Sequence, residues 1–188
     1  MKNARRGLRV LLITQGINPV LSSIMKSKHE IVGIVEAAPR GYPQKATCQR
    51  YCKERAKQFA KLSAKIISGR PFTLKHYSSS AQIPYYFMGN GCDYALEEWI
   101  RDKKLDIIVV KSMSELLKRH IWSLPKYGTI NIHSSLLPKY RGPNPIFWMY
   151  HDMDLQGGVT VHHIDDGEDT GDILEQEMFS ITVGERPL

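Results

Sequence analysis

Cysteines and long apolar runs are both scarce in this sequence, and each scarcity excludes a class of protein. Three cysteines in 188 residues do not make a disulfide framework, so we expect a reducing, cytoplasmic location. No apolar run approaches the roughly 20 residues that a bilayer span needs, so no membrane helix is expected. The short apolar stretch at residues 8–13 resembles a first strand more than a signal sequence. With 42% hydrophobic residues, we expect a single domain over residues 1–188.

Ligand spacings typical of metal sites are also missing. Cys48 and Cys52 stand four apart on a predicted helix, but no third or fourth ligand lies near them, so core packing is the simpler interpretation. Histidines are more numerous towards the end of the chain, yet none of them forms a helical HxxxH pair: His133, His151, His162 and His163. The sequence therefore predicts no metal.

Dinucleotide and P-loop motifs are absent as well. After the first predicted strand the chain reads TQGINP, which contains Gly16 alone where a dinucleotide site needs GxGxxG. The turn can still offer backbone N–H groups, and the N-terminus of the following helix, to a phosphate.

Acidic residues are scarce between Arg40 and Arg70, where nine Lys/Arg accompany only Glu54. This stretch sums to +8 in a chain of net charge +7, so the basicity belongs to one element, a predicted amphipathic helix at residues 47–68. The helix can be a solvated cover on a sheet, or a patch that attracts phosphate on a nucleotide-linked substrate or on RNA. Tyr51 is its one candidate for stacking on bases, so general nucleic-acid binding is not favoured.

Apolar runs and amphipathic segments alternate along the chain. This order predicts an α/β fold, a Rossmann-like and mainly parallel sheet with helices on both faces. Asn18 and Asn144 are expected to cap helices that begin with proline. The predicted strands are 8–14, 30–36, 105–110, 128–133, 158–164 and 173–181, with a short extended piece at 83–87. The predicted helices are 19–26, 47–68, 94–102, 113–119 and 145–150.

Polar side chains cluster where two of these strands end. Asn131 and His133 alternate in TINIH and so share one face of the strand, and an acidic, glycine-containing loop at residues 165–172 follows a second strand. In a parallel sheet, ligands bind beyond the carboxyl ends of the strands. An amide, an imidazole and a carboxylate can together hold an oxyanion and move a proton. Taken singly, each residue is equally well explained as turn chemistry or as a satisfied polar group.

The two polar stretches together resemble those of the folate-dependent formyltransferases, which include methionyl-tRNA, glycinamide-ribonucleotide and nucleotide-sugar N-formyltransferases. The N-x-H…SLLP pattern of that family stands here as NIHSSLLP, from Asn131 to Pro138. The G-V-T-x-H…D-x-G-x-D-T-G-D-I pattern stands as GVTVH followed by DGEDTGDI, from Gly158 to Ile173. The resemblance covers residues 105–181 well and the N-terminal half only by its order of strands and helices. It implies the formyltransferase fold and assigns the catalytic roles to Asn131, His133 and Asp169.

The chemistry that this resemblance implies is formyl transfer from 10-formyltetrahydrofolate to a primary amine, within one-carbon metabolism. Asn131 and a protonated His133 would stabilise the oxyanion, with one such donor worth about 3 kcal/mol. Asp169 would orient His133 and relay the amine's proton towards N10 of the folate. The reaction requires no metal. The implied folate pocket has apolar walls and backbone donors, from Ser112, Met113, Leu116, Leu136, Leu137, Pro138, Ile164, Asp165, Asp166, Gly167 and Glu168.

The acceptor is less well defined than the donor. The stretch YRGPNPIFW, with Arg141, Asn144 and Trp148, looks most like the nucleotide-sugar enzymes, so a phosphate-bearing amino sugar is expected first. Methionyl-tRNA is the alternative, although such an enzyme carries a further C-terminal domain, and this chain is expected to lack such an extension. Hydrolysis of formyl-folate and a non-catalytic folate- or RNA-binding module are further alternatives. A homodimer is compatible with the sequence.

Overall fold

A computed structural model of the protein describes residues 6–40, 73–89 and 93–181. The described residues form one sheet of seven strands in the order β3-β2-β1-β4-β5-β6-β7. Neighbours from β3 to β5 are parallel, whereas β6 runs antiparallel to β5 and β7 antiparallel to β6. The predicted mainly parallel sheet is confirmed. The strands are β1 (Arg9–Thr14), β2 (Glu30–Ala37), β3 (Tyr85–Met88), β4 (Ile107–Lys111), β5 (Thr129–His133), β6 (Gln156–His163) and β7 (Ile173–Ser180).

The central strands are apolar on both faces because both faces are covered. In β1, Leu11 packs in one core cluster and its neighbour Leu12 packs in the other. The first cluster contains residues of α3 (Tyr94–Arg101) and α4 (Arg119–Trp122). The second contains residues of α1 (Pro19–Lys26) and α2 (Leu74–Ser80). The prediction of helices on both faces is therefore confirmed.

Two helices begin at asparagine followed by proline, but only one asparagine caps its helix as predicted. The Asn18 side chain accepts a hydrogen bond from the backbone N–H of Leu21 at 3.2 Å, which satisfies one free donor of α1. Asn144 precedes α5 (Pro145–His151) in a left-handed conformation, with φ 56°, and makes no side-chain cap hydrogen bond. The predicted cap at Asn144 is therefore wrong, because an N-cap side chain reaches its N–H target from an extended backbone.

The helix predicted over residues 113–119 is also wrong. The chain leaves β4 through Ser112 in a left-handed conformation, with φ 59°, and the helical turn begins only at Arg119. No element was predicted over α2, whose sequence LKHYSSS has too few apolar residues to show a helical period. The basic helix predicted at residues 47–68, with Cys48, Tyr51 and Cys52, lies outside the described residues.

The order of the strands places a topological switch between β1 and β4. The chain progresses from β1 to β3 on one side of the sheet and then returns to add β4 on the other side. Ligands of open α/β sheets bind in the crevice at such a point, beyond the carboxyl ends of the strands. Thr14 and Lys111 are the paired last residues of β1 and β4, and His133 ends β5 at the same edge of the sheet. In the described ranges, no helix has both the length and the apolar character to cross a membrane.

Candidate active site

Three polar side chains enter the site from two adjacent antiparallel strands. Asn131 and His133 of β5 both line the cleft at the sheet edge, as their alternation predicts. The antiparallel register places His162 of β6 opposite Asn131. His163, the next residue of the strand, faces the other side of the sheet and does not line the cleft.

The carboxylate of Asp169 joins these side chains. Its Oδ1 accepts from Asn131 Nδ2 at 3.1 Å and lies 3.3 Å from His162 Nε2. Its Oδ2 accepts from the backbone N–H of Gly142 at 2.9 Å and lies 3.3 Å from His133 Nδ1. The two oxygens thus face two ring nitrogens, an amide and a backbone N–H. The structure brings together the three residues that were assigned catalytic roles.

The electrostatics of Asp169 favour its ionised form. Burial raises the pKa of this carboxyl, but the hydrogen bond from His162, the N–H of Gly142 and the charge of His133 lower it further than burial raises it. The net pKa lies below the ordinary value of an aspartate. The residue is therefore a carboxylate near neutral pH.

His133 is held at both ends of its ring. The ring is buried, with 7% of the residue exposed, and its Nε2 lies 2.8 Å from the backbone oxygen of Tyr140. Its Nδ1 faces Asp169, so an oxygen acceptor stands at each nitrogen. A ring with a proton on both nitrogens satisfies both acceptors. A ligand that takes a hydrogen bond from His133 must share or replace one of these contacts.

His162 is a site residue that the assignment of three catalytic positions missed. His162 is buried, with 1% of its surface exposed, and its Nδ1 donates to the backbone oxygen of His163 at 2.8 Å. Its Nε2 lies 3.2 Å from Asn131 Nδ2 as well as near Asp169. The signal was present in the sequence, because GVTVH places this histidine on the face of its strand opposite to His163. The register that brings it to Asn131 could not be read from one strand alone.

The SLLP segment, residues 135–138, supports the site through hydrogen bonds to β6 and β7. The backbone N–H of Leu137 donates to Thr160 Oγ1 at 3.1 Å, and Thr160 Oγ1 donates to the backbone oxygen of Ser135 at 2.7 Å. Gln176 Nε2 donates to the backbone oxygen of Leu137 at 2.8 Å. These contacts fix the loop against β6 and β7. Because the loop continues to Tyr140, they also fix the oxygen that holds His133.

A cleft of about 970 Å³ opens beside the cluster. The predicted pocket residues that line it are Ser112, Met113, Leu116, Ile164, Asp165, Gly167 and Glu168. Residues that line it without having been predicted include Gln15, Arg40, Lys111, Ser134, Gly142, Asn144 and Phe147. Its volume is at the upper end of the range for small-molecule sites, roughly 300–1,000 Å³.

Four residues that were predicted for the pocket walls do not line this cleft. Leu136, Leu137 and Pro138 belong to the supporting loop, and the Leu136 side chain lies over Gly158 of β6. Asp166 turns outwards and forms an ion pair with Arg119. Its sequence neighbour Asp165 instead accepts from Gly167 N at 3.0 Å and from Thr170 Oγ1 at 2.6 Å, and so shapes the loop that carries Asp169.

Within the described part of the chain, no group of three or more His, Cys, Asp or Glu side chains has an arrangement that could hold a metal ion. Asp169 is surrounded by hydrogen-bond donors, which occupy the oxygen lone pairs that a metal would use. The oxygens of Asp169 are thus engaged in hydrogen bonds within the cluster.

The fold and the site define an α/β domain of Rossmann-like topology with a ligand cleft at the carboxyl edge of its sheet. The chain belongs to the formyl transferase family, which matches it over residues 42–187. It is 34% identical over 165 residues to the methionyl-tRNA formyltransferase of Alkaliphilus oremlandii, covering 87% of this chain and 46% of that protein. It is 45% identical over 93 residues to the methionyl-tRNA formyltransferase of Lachnospira eligens, covering 50% of this chain and 30% of that protein. The chain thus spans less than half the length of these curated relatives.

Solved structures show the same fold at low sequence identity. Phosphoribosylglycinamide formyltransferase from Bacillus halodurans superposes with a TM-score of 0.68 at 20% identity, covering 95% of this chain and 82% of that one. A formyltetrahydrofolate deformylase from Pseudomonas syringae pv. tomato superposes with a TM-score of 0.69 at 16% identity, covering 97% of this chain and 54% of that one. Both comparisons confirm the formyltransferase fold.

Proposed function

We propose that this domain transfers a formyl group from 10-formyltetrahydrofolate to a primary amine, and that the amine belongs to methionyl-tRNA. The observation that carries the proposal is the convergence of Asn131, His133 and His162 on the carboxylate of Asp169 at the end of a large cleft. Family membership supports the reaction, and the names of the two relatives described above support the acceptor.

The cleft residues fit a folate cosubstrate. Met113, Leu116 and Ile164 give the cleft apolar surface for a flat heterocycle. The loop residues Asp165, Gly167 and Glu168 add backbone and carboxylate groups that suit the N–H donors of a pterin. The formyl carbon would then lie beside the Asn131–His133–Asp169 cluster, between the folate and the amine.

Each residue of the cluster has a distinct task in this reaction. Attack of the amine on the formyl carbon places negative charge on the formyl oxygen, and the bond to the folate nitrogen then breaks. The amide N–H of Asn131 and the ring of His133 supply donors for that oxygen, one donor being worth about 3 kcal/mol. Asp169 holds both donors in place.

The low pKa of Asp169 changes one part of the expected mechanism. A carboxylate with a pKa below the ordinary value is a poor acceptor for the proton that the amine must lose. Asp169 is better suited to orient the rings and to stabilise a positive charge on His133. Transfer of the proton from the amine to the folate nitrogen then falls to an imidazole or to water.

A nucleotide-linked amino sugar is the competing acceptor. It was expected first from YRGPNPIFW, and Asn144 and Phe147 of this stretch do line the cleft. Phe147 is 60% exposed and meets Trp148 in an edge-to-face contact, so exposed ring surface remains that could stack on a base of either acceptor. The stretch therefore does not separate a sugar nucleotide from the end of a tRNA, and the relatives' names support tRNA as the acceptor.

The acceptor is tested by incubating the protein with 10-formyltetrahydrofolate and one of three additions: methionyl-tRNA, a panel of amino-sugar nucleotides, or no acceptor. Tetrahydrofolate formation is followed, and the formylated product is identified by mass. We expect turnover only with methionyl-tRNA. Turnover only with a sugar nucleotide would move the proposal to that acceptor class, and equal turnover without acceptor would make the protein a hydrolase. No turnover under any condition would refute formyl transfer by this chain.

A further inference from the structure

Lys111 is a partly buried cation that the reaction described above does not use. It is the last residue of β4 and lines the cleft. Its Nζ donates to Ser134 Oγ at 2.6 Å and to the backbone oxygen of Ile132 at 3.2 Å. Within the described residues, no carboxylate forms an ion pair with it. An ammonium group has three N–H donors, so one remains for a ligand in the cleft.

The surroundings of Lys111 favour an anion. Burial lowers the pKa of this ammonium, and in the part of the chain that the structure describes no neighbouring charge offsets the effect. A buried charge without a counterion is costly, and a bound anion removes that cost. Ser134 adds to the attraction because its hydroxyl accepts from Lys111 and can donate its own hydrogen to the same anion.

The position of Lys111 separates it from the acidic part of the cleft. Lys111 pairs with Thr14 across the topological switch between β1 and β4, and Arg40 is a second cation on the cleft wall. The carboxylates Asp165, Glu168 and Asp169 belong to the loop between β6 and β7 instead. Glu115 also lines the cleft, next to Ser114, whose backbone oxygen accepts from Arg40. Lys111 and Arg40 thus lie at or just beyond the ends of the parallel strands β4 and β2, whereas three of the four carboxylates of the cleft belong to the loop between β6 and β7.

We propose that Lys111 and Ser134 form a phosphate-binding subsite that takes a phosphate group of the amine acceptor. The contacts of Lys111 and Ser134 support binding of an anion, whereas the assignment of that anion to the acceptor rests on the proposed function. A phosphate suits it better than a carboxylate, because its tetrahedral oxygens can accept from Lys111 and from Ser134 in different directions. The acidic loop between β6 and β7 is then left to bind the folate, because the pterin carries N–H donors.

The subsite is tested by titrating inorganic phosphate into the full chain by isothermal calorimetry, with Lys111→Met and Lys75→Met compared. Lys75 is an exposed lysine of α2 outside the cleft, so its replacement removes the same charge without touching the subsite. We expect phosphate to bind the wild type and Lys75→Met alike, and Lys111→Met at least about tenfold more weakly. Ser134→Ala, which keeps the cation, should weaken binding by a smaller factor and provides the test if Lys111→Met does not fold. Equal binding to all variants, or no binding to the wild type, would overturn the subsite.

Glutarate serves as the second probe, because the glutamate tail of a folate is the other source of an anion. Weaker binding of glutarate than of phosphate at Lys111 supports the proposal, whereas tighter binding would assign the residue to the folate and overturn it. In the formyl-transfer assay, Lys111→Met should raise the acceptor KM about tenfold and leave the folate KM unchanged. If formyl transfer itself is not observed, the phosphate titration still decides the subsite, so the two proposals can fail separately.

Discussion

Asp169 makes more contacts than its position in a loop motif would suggest. Its backbone lies in the left-handed region, with φ 51°, which aspartate tolerates better than most residues but still at a cost of order 1 kcal/mol. The contacts with Asn131, Gly142 and the two histidines offset that cost. The strained backbone therefore indicates a residue held in place for its side chain.

The lowered pKa of Asp169 predicts a pH-dependent contribution to stability. A carboxyl whose pKa is lower in the folded than in the unfolded chain stabilises the fold above the unfolded pKa of about 3.9. The contribution is lost as the pH falls through the folded pKa. Asp169→Asn should therefore lower the free energy of unfolding by about 1–3 kcal/mol at pH 7, and by less near pH 3, below the unfolded pKa of about 3.9. Urea unfolding at both pH values measures this difference.

Asp152→Asn is the matched control. Asp152 is half exposed and pairs with the exposed His151, so its replacement should change the free energy of unfolding by less than about 1 kcal/mol at pH 7. An Asp169→Asn effect of the same size at both pH values would show that the carboxylate charge does not stabilise the site.

At the level of single residues, the sequence could predict three residues that come together in the site, but it could not predict the other residues that lie beside them. Asn131, His133 and Asp169 lie in patterned segments whose neighbours identify them. His162 depends on the β5–β6 register, and Lys111 depends on its distance to Ser134, a residue of another loop. Both depend on tertiary contacts, which a local sequence pattern does not reveal.

Among the elements, the segment from β5 to α5 is the support on which the site depends. The backbone oxygen of Tyr140 holds His133, and the backbone N–H of Gly142 holds Asp169. Gly142 has φ 84°, and a Cβ built there would lie 3.3 Å from a carboxylate oxygen of Glu168. The position thus favours glycine chiefly for its backbone conformation, because the exposed Glu168 side chain can move to admit a Cβ.

Gly142→Ala should therefore disturb the anchor of Asp169. We expect a loss of about 1 kcal/mol in the free energy of unfolding, together with a lower kcat for formyl transfer. Chemical denaturation and steady-state kinetics measure the two effects. Gly89→Ala is the control, since Gly89 has an ordinary φ and open space around its Cβ position, and it should be neutral. Equal behaviour of the two variants would exclude a special role for Gly142.

Prediction of elements succeeded where burial decides the pattern. The β4 run was recognised because both of its faces are covered, and only its ends shifted by one or two residues. The segment at residues 113–119 misled because Met113, Leu116 and Leu117 have helical spacing. They are apolar for another reason, since Met113 and Leu116 line the cleft and Leu117 packs in the core.

At the scale of the whole molecule, the sheet separates two hydrophobic cores, and β1 contributes side chains to both. Leu11 and Leu12 are both fully buried but pack against different pairs of helices. Leu11→Ala and Leu12→Ala should each cost about 2–5 kcal/mol in the free energy of unfolding. Thermal or urea denaturation checks this, with Leu174→Ala on the exposed β7 as a control that should cost below about 1 kcal/mol. A costly change at only one of the two β1 leucines would contradict a sheet covered on both faces.

The organisation of formyl transfer by Asp169 is tested most directly by comparing the wild type with Asp169→Asn. The decisive measurement is the single-turnover rate from 10-formyltetrahydrofolate to the acceptor that the panel identifies, together with the affinity for 5-formyltetrahydrofolate as a binding probe. We predict a rate at least about a hundredfold lower in the variant, with folate affinity within about threefold of the wild type. An Asp169→Asn protein that transfers the formyl group at nearly the wild-type rate would contradict the central role of this carboxylate.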